Sequence, residues 1–476
     1  MLTKTEVAFA AVLEKQFLAA PPQEVLLLGE FPAELTASMS ARGWRLTCVL
    51  WREPENQLLP PGGINGELLQ LDFAGSPPIQ GRQFDAVLAL DFAADIHPLA
   101  LFDQLNLLLA PGAVVVLAGE LAASGWLPHA AALGLRCGFA FEAPHAVVES
   151  TGFIQVLRRA ESAPRWHVAP MCADDFAEIA ALFQEVFGHP MSRALWDWKY
   201  GPGRGNAVIV RSQGKIVGHY GAMYRKILLN GQPARAAQVG DVMVQSQARG
   251  VLTRNGPFFL MASSWAEVYG VMAFGFPTVR ALLVAEKMGL YTKASEMAEV
   301  RWKPSAPKIR FGTRVKALSP GSASDRQSSD VLWAAMAQDL RESVLVVRDW
   351  AYLEQRYFGH PHNPYEVLMV RTRFTGKPLG IVVLRRLEGA CELLDVIAPL
   401  AHLPQLIDQA RRLTGLWGLP YLYAWITKTY LPLFLKCDGQ EEALNISIPA
   451  ICWTADPRIN AFKDKWWLMS GDTDFR

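Results

Sequence analysis

Between Gly240 and Leu290 the chain gathers residue types that hold anions. Arg249-Gly250 and Arg254-Asn255-Gly256-Pro257 stand a few positions apart in one loop. Glycine lets the backbone come close to a ligand, and proline after Gly256 suits the first turn of a helix. The unpaired N–H groups at such a helix start bind phosphate. A guanidinium meets phosphate oxygens in pairs. Arg249, Gly250, Arg254, Asn255, Gly256 and Pro257 are therefore expected to cradle a phosphate or pyrophosphate, with Val242 and Val244 leading into the site. Asp241 opens the preceding strand and is the candidate general base of the site. Its competing role is to cap that strand or pair with a nearby arginine.

The elements that must position these residues follow from pattern. Alternating valines predict a strand over Asp241 to Val244. A helix is expected over Pro257 to Tyr269, then an apolar strand ending at Pro277 and a second helix ending at Gly289. In this order the residues resemble the GNAT superfamily of acyl-CoA-dependent acyltransferases. Val244 to Gly250 is similar to that family's Val-x-Pro-x-x-Arg-Gly approach, with Ser246 in place of proline. The family's next glycine comes only at Gly256. Gly275-Phe276-Pro277 and Glu286-Lys287-Met288-Gly289-Leu290 are similar to its later strand and helix ending, with Leu290 for phenylalanine.

The resemblance implies a donor, acetyl-CoA or another acyl-CoA, and an amine acceptor such as a sugar amine or other small molecule. It implies that a tyrosine on the last helix acts as acid. Ala285 holds that place here, and Tyr291 just downstream is the candidate. Trp196, Trp198, Tyr220, Tyr224 and Phe276 are candidates for an acceptor cleft, against the alternative that they pack the core. Glu267 and Glu286 are expected to face solvent.

The flanks carry patterns of their own. Residues 1–162 alternate apolar strands with helices, which predicts a Rossmann-like parallel sheet. Leu108 to Val116, with Pro111-Gly112, resembles the step before the fifth strand of class I S-adenosylmethionine-dependent methyltransferases. That family's glycine-rich loop is reduced to Gly29, and Trp51-Arg52 stand where an acid belongs. The domain is expected to be degenerate, and S-adenosylmethionine is not expected to bind. Residues 163–305 form the GNAT domain with the acyl-CoA site, and 306–330 read as a linker. Residues 331–476 repeat the middle pattern without a phosphate loop, giving a second GNAT-like domain. The fold class is α/β: a Rossmann-like parallel sheet, then two GNAT-type mixed domains. The closing Gly471 to Phe475 is similar to tails of bacterial tandem GNAT proteins.

Composition narrows the partners. A net charge of +1 gives no electrostatic case for nucleic acid. The most apolar run, interrupted by Pro111-Gly112, is too short to span a bilayer. Six widely spaced cysteines form no metal or redox motif and suggest a reducing, cytoplasmic setting. No metal site is expected. Two rivals stay open: a scaffold without activity, and a methyltransferase with a vestigial acyltransferase half.

Overall fold

The structure, a computed structural model, describes residues 3–19, 21–29, 31–50, 68–70, 83–90, 98–120, 127–142, 145–146, 152–162, 164–249, 253–270, 272–306, 312–453 and 459–475. Gly250 and Trp51-Arg52 lie outside the described residues.

The N-terminal unit contains α1 (Lys4–Phe17), β1 (Glu24–Leu28), α2 (Ala33–Ala41), β2 (Arg45–Leu50), β3 (Leu68–Gln70) and β4 (Phe84–Ala89). It continues with α3 (Pro98–Leu108), β5 (Leu109–Glu120), α4 (Leu127–Arg136), β6 (Phe139–Phe141), β7 (His145–Ala146) and β8 (Gly152–Arg159). The sheet order is β3-β2-β1-β4-β5-β8-β6, with β7 beside β8. The first five strands run parallel, and β8 lies antiparallel between β5 and β6. Successive side chains of β1 point to opposite faces. Val25 and Leu27 enter a core with Phe9 and Leu13 of α1, while Leu26 and Leu28 join the core containing Phe102 and Leu105 of α3. That is why β1 reads as an unbroken apolar run.

The middle unit starts with β9 (His167–Pro170), α5 (Phe176–Phe187), α6 (Arg193–Tyr200), β10 (Gly205–Ser212), β11 (Lys215–Leu229) and β12 (Gln232–Val244). It then adds α7 (Pro257–Tyr269), β13 (Met272–Gly275) and α8 (Val279–Lys287). Strands β9 to β12 form an antiparallel ladder, and β13 runs parallel to β12. Two tight hairpins set the register. Gln213-Gly214 and Asn230-Gly231 hold positive φ at both central positions, 51° and 78°, then 50° and 75°. That geometry matches the twist of the strands it joins.

The next strand, β14 (Tyr291–Trp302), crosses out of the middle sheet. The remaining elements are β15 (Thr313–Ala317), α9 (Ala323–Asp339), β16 (Val344–Val346), α10 (Trp350–Leu353), β17 (Glu366–Thr372), β18 (Pro378–Leu387) and β19 (Ala390–Ile397). After these come α11 (Leu403–Leu416), β20 (Leu422–Thr427), α12 (Leu431–Leu435), β21 (Gln440–Glu442), β22 (Ser447–Ile451), α13 (Ile459–Phe462) and β23 (Trp466–Trp467). The third sheet runs β15-β17-β18-β19-β20-β14-β21, antiparallel up to β19 and parallel between β19 and β20. It repeats the strand directions of the middle sheet.

Two expectations about boundaries change. Residues 306–330 were expected to be a linker with room for one strand; they carry that strand, β15, and also the start of α9. The polar composition there reflects an edge strand and a capped helix start, Ser322 accepting from the Asp325 N–H at 3.2 Å. Strand β14, expected in the GNAT domain, pairs instead with β20, β21 and β22. In return β16 pairs with β11, and Ser447 at the start of β22 donates its N–H to Pro277 beyond β13 at 3.2 Å. The middle and C-terminal units thus trade strands. The core of the middle unit is also continuous with one face of the N-terminal sheet.

Candidate active site

The site begins where β12 departs from regular geometry. Its register with β11 shifts between His219 and Gly221, and Asp241 lies in the left-handed region at φ 49°. Asparagine and aspartate adopt that conformation most readily after glycine. Strand β12 pairs with β13 only as far as Val239 with Gly275. Beyond that pair the strands part, and a cavity of 690 Å³ opens between Val239–Val242 and Ala273–Pro277. Phe183 and Phe187 of α5, Phe258 of α7, Phe276 and Tyr291 make most of its wall apolar. The C-terminal half supplies His360, His362, Ile451, Asp474 and Phe475.

A buried charge cluster closes one side. Lys199 Nζ donates to both oxygens of Asp241, at 2.8 and 2.9 Å, and to Asp474 Oδ2 at 2.8 Å. Tyr200 donates its hydroxyl to Asp241 Oδ2 at 2.7 Å. Gln238 donates to Asp474 Oδ1 at 3.0 Å and accepts from Arg225 at 2.6 Å. Burial alone would pull the Lys199 ammonium down, but the two carboxylates outweigh it and push its pKa up. Burial would raise Asp241, yet the Lys199 charge and hydrogen bonds hold it below the usual carboxylate range. Such a carboxylate is a weak base. Asp241 lines the cavity as expected, but its proton affinity is spent on Lys199 and Tyr200. The ion pair is made with Lys199 and not with an arginine, and it leaves Asp241 a poor candidate for the base.

The tail reaches this cluster through close packing. A Cβ on Gly240 would stand 2.3 Å from Asp474 Oδ2, and one on Gly471 would stand 2.2 Å from the Tyr357 hydroxyl. Arg348 anchors the tail to the C-terminal unit, donating to Asp395 at 2.8 Å and Asp472 at 2.6 Å. Arg356 donates to the carbonyls of Gly471 and Thr473 at 2.8 and 3.2 Å.

Other expected residues sort clearly. Val242, Phe276 and Tyr291 line the cavity. Tyr291 shares a short hydroxyl hydrogen bond with Tyr220, and burial pushes its pKa well above the ordinary phenol value. Trp196, Trp198 and Tyr220 are buried in the core rather than in the cleft. Trp198 donates to the Gln355 carbonyl at 2.8 Å, and Tyr224 bonds Asn206. Of the acceptor-cleft candidates only Phe276 reaches the cavity, because α6 turns its tryptophans inward to pack. Glu267 does not face solvent: its side chain is 4% exposed and pairs with Arg136 at 2.6 Å.

In the loop before α7, Arg249 is exposed and donates Nε to the Val244 carbonyl at 2.8 Å. Val244 pairs with Gly218. Gly256 caps α7 with Pro257 in its first turn, as expected, and Arg254 and Asn255 stand exposed before it. Sequence reading missed Lys199, Tyr200, His360, His362 and Asp474. The visible signal for Lys199 was a single cation inside the aromatic run Trp196 to Tyr200. For Asp474 it was the polar tail itself.

His360 is a poor base for a different reason. Its Nδ1 accepts the N–H groups of His362 and Asn363 at 3.2 and 3.0 Å. Burial, then the Arg356 charge, lower its pKa to about 3. Among the described residues no cluster of His, Cys, Asp and Glu could hold a metal ion. No helix among them is long and apolar enough to cross a membrane.

Residues 167–272 match the family model of an acetyltransferase (GNAT) domain. The chain carries a GNAT acetyltransferase domain. A conserved protein of Enterococcus faecalis described as a probable N-acyltransferase is similar in structure, at 14% identity and TM-score 0.46, over 60% of this chain and 72% of its own. A GCN5-related N-acetyltransferase of Anabaena variabilis gives 9%, 0.46, 60% and 72%. The N-myristoyltransferase of Saccharomyces cerevisiae with bound myristoyl-CoA gives 11%, 0.41, 60% and 78%. No curated protein matches the chain.

Proposed function

We propose that the chain transfers an acyl group, acetyl in the simplest case, from acyl-CoA to the nitrogen of a small amine, such as a sugar amine. The observation that carries this is the parting of β12 and β13 beside a helix start within the GNAT domain. An unpaired strand edge offers N–H and C=O groups to an extended amide chain. The same edge supplies a donor for the oxyanion formed when the amine attacks the thioester. Gly256 and Pro257 at the start of α7, with Arg249 and Arg254 nearby, fit the pyrophosphate. Tyr291, kept protonated by burial, is the hydroxyl in the cavity able to give a proton to the leaving thiolate, and the proton that the nitrogen sheds as the amide forms restores it. Asp241 holds Lys199 and the kinked strand rather than taking the amine's proton.

We read the N-terminal unit as methyltransferase-like in fold without the cofactor. Its strand order, with the antiparallel β8 between β5 and β6, supports that reading. The C-terminal unit, with its repeat of strand directions, is read as a second GNAT-like domain.

The test is calorimetric titration of the full chain with acetyl-CoA and, separately, with S-adenosylmethionine. Acetyl-CoA is expected to bind to the wild type, and Gly256→Glu to abolish that binding while the melting curve stays cooperative. Gly256 has φ −85° and ψ 157°, a backbone conformation open to any residue, and the charge of a glutamate there repels the pyrophosphate. Retained binding in the variant removes the loop assignment, and binding of S-adenosylmethionine alone overturns the whole proposal.

A further inference from the structure

We propose that a second cleft, between the N-terminal unit and the GNAT domain, binds the nucleotide end of the acyl-CoA. The inference rests on the acyl-CoA reading above and gives the N-terminal unit a part in the donor site. The cleft has a volume of 470 Å³ and three walls: Leu135 and Arg136 of α4, Arg165-Trp166 before β9, and Arg254-Asn255 with Leu260 at the start of α7.

Strand register places these walls at the edge of the sheet where the donor loop lies. Arg211 of β10 pairs with both His167 and Ile216, and Val244 of β12 pairs with Gly218. The segment before β9 and the loop after β12 therefore share one end of the ladder.

The charge is unbalanced in a way that suits a polyanion. Arg136 is committed to Glu267, at 2.6 and 3.0 Å. Arg254 and Arg136 lie 5.8 and 5.9 Å from the centre of the Trp453 ring. Arg165 lies 4.6 Å from the centre of the Trp166 ring. Neither Arg165 nor Arg254 has a carboxylate partner among the described residues, so three guanidiniums face one carboxylate. Guanidiniums held against rings keep their N–H edges for phosphate oxygens. Leu135, 70% exposed, and Leu260 add an apolar lip for a nucleobase. The nucleotide end of CoA brings an adenine, a 3′-phosphate and a pyrophosphate, which matches that combination.

The experiment is calorimetric titration of the full chain with CoA, 3′-dephospho-CoA and 4′-phosphopantetheine. CoA is expected to bind about tenfold more tightly than dephospho-CoA, the usual order for losing a hydrogen bond to a charged group. Arg165→Ala is expected to erase that difference and leave the phosphopantetheine affinity where it was. Leu135→Glu changes an exposed residue of the N-terminal unit alone. It is expected to weaken CoA binding, with the loss relieved by added salt. Equal binding of CoA and phosphopantetheine by the wild type overturns the cleft and leaves the donor reading standing. So does a loss in Arg165→Ala that is equal for all three probes. If none of the three binds, the acyl-CoA reading falls and the cleft falls with it.

Discussion

Replacing Lys199 with methionine tests the charge cluster most directly. Methionine keeps the length of the side chain and removes the one cation shared by Asp241 and Asp474. The Lys199 side chain is 3% exposed and both carboxylates are 6% exposed, so water cannot take over as partner. Breaking a buried pair by removing one member costs about 3–5 kcal/mol. At roughly 2–4 °C per kcal/mol for a unit of this size, the melting point should fall by on the order of 10 °C. The pH dependence gives a second, independent sign. In the wild type Asp241 lies below its unfolded value of about 3.9. Its contribution is thus present above that value and lost as pH falls through the folded pKa. In the variant burial remains while Lys199 is gone, so the carboxylate is raised and binds a proton more readily folded than unfolded. Its penalty is then greatest at high pH and shrinks as pH falls. The gap between wild type and variant, measured by thermal unfolding at pH 8 and at pH 5, should therefore narrow toward acid. Adding Asp241→Asn to Lys199→Met should recover roughly 1–3 kcal/mol, a coupling expected of groups in one network. A Lys199→Met variant within about 1 kcal/mol of wild type at pH 8 would refute the reasoning. So would a gap that widens on acidification.

Three further outcomes follow from the same geometry. Gly240→Ala puts a Cβ 2.3 Å from Asp474 Oδ2 and should loosen the tail, read as faster carboxypeptidase trimming than in wild type. Unchanged trimming would mean that the tail is held without that contact. Arg136→Ala leaves Glu267 buried with, among the described residues, the Trp453 N–H at 2.6 Å as its remaining hydrogen-bond partner. It should cost about 3–5 kcal/mol in denaturant unfolding, while a loss below about 1 kcal/mol would show the contact to be dispensable. His360 is held at about 3 against an ordinary value near 6.5, so it favours the folded state above 6.5. That stability is lost as pH falls from about 6.5 toward 3. His360→Gln should flatten the acid side of the stability curve, and an unchanged slope between pH 6 and pH 4 would contradict its burial.

Much of the fold was legible because it rests on local pattern. Helix α7 falls on its expected bounds, Pro257 to Tyr269, set by the Gly256-Pro257 start. Strand β12 was read only over its last four residues, although Asn230-Gly231 marks a hairpin that doubles both β11 and β12. What stayed hidden is non-local. Nothing at Tyr291 to Trp302 says that this strand pairs with residues 422–427 rather than with its own unit, because burial on either sheet asks for the same apolar residues. The site shows the same limit. Asp241 was visible as a carboxylate beside the donor strand, but its partners come from α6 and from Asp474, 233 residues along the chain. Their meeting, which decides whether Asp241 takes a proton, cannot be read from the spacing around Asp241. Trp196 and Trp198 failed for a related reason: aromatic residues on a short helix satisfy a core as well as a cleft, and the turn of α6 decides.

The traded strands explain why the cavity belongs to neither half alone. Strand β14 leaves the middle sheet, so the far side of β13 is free for the start of β22, and Ile451 at its end becomes a wall of the cavity. Pairing of β16 with β11, and of β23 with β16, then fixes the start of the tail against the middle unit. From Trp467 the chain needs only a few residues to carry Asp474 to Lys199. Each ion pair along that path is buried, so each is worth forming only when its neighbours are in place. The arrangement therefore assembles as one network running from Arg348 through Asp472 and Asp474 to Lys199 and Asp241. In the proposed reaction the side of the donor cavity lined by Asp474 and Phe475 follows from the folding of residues 467–475.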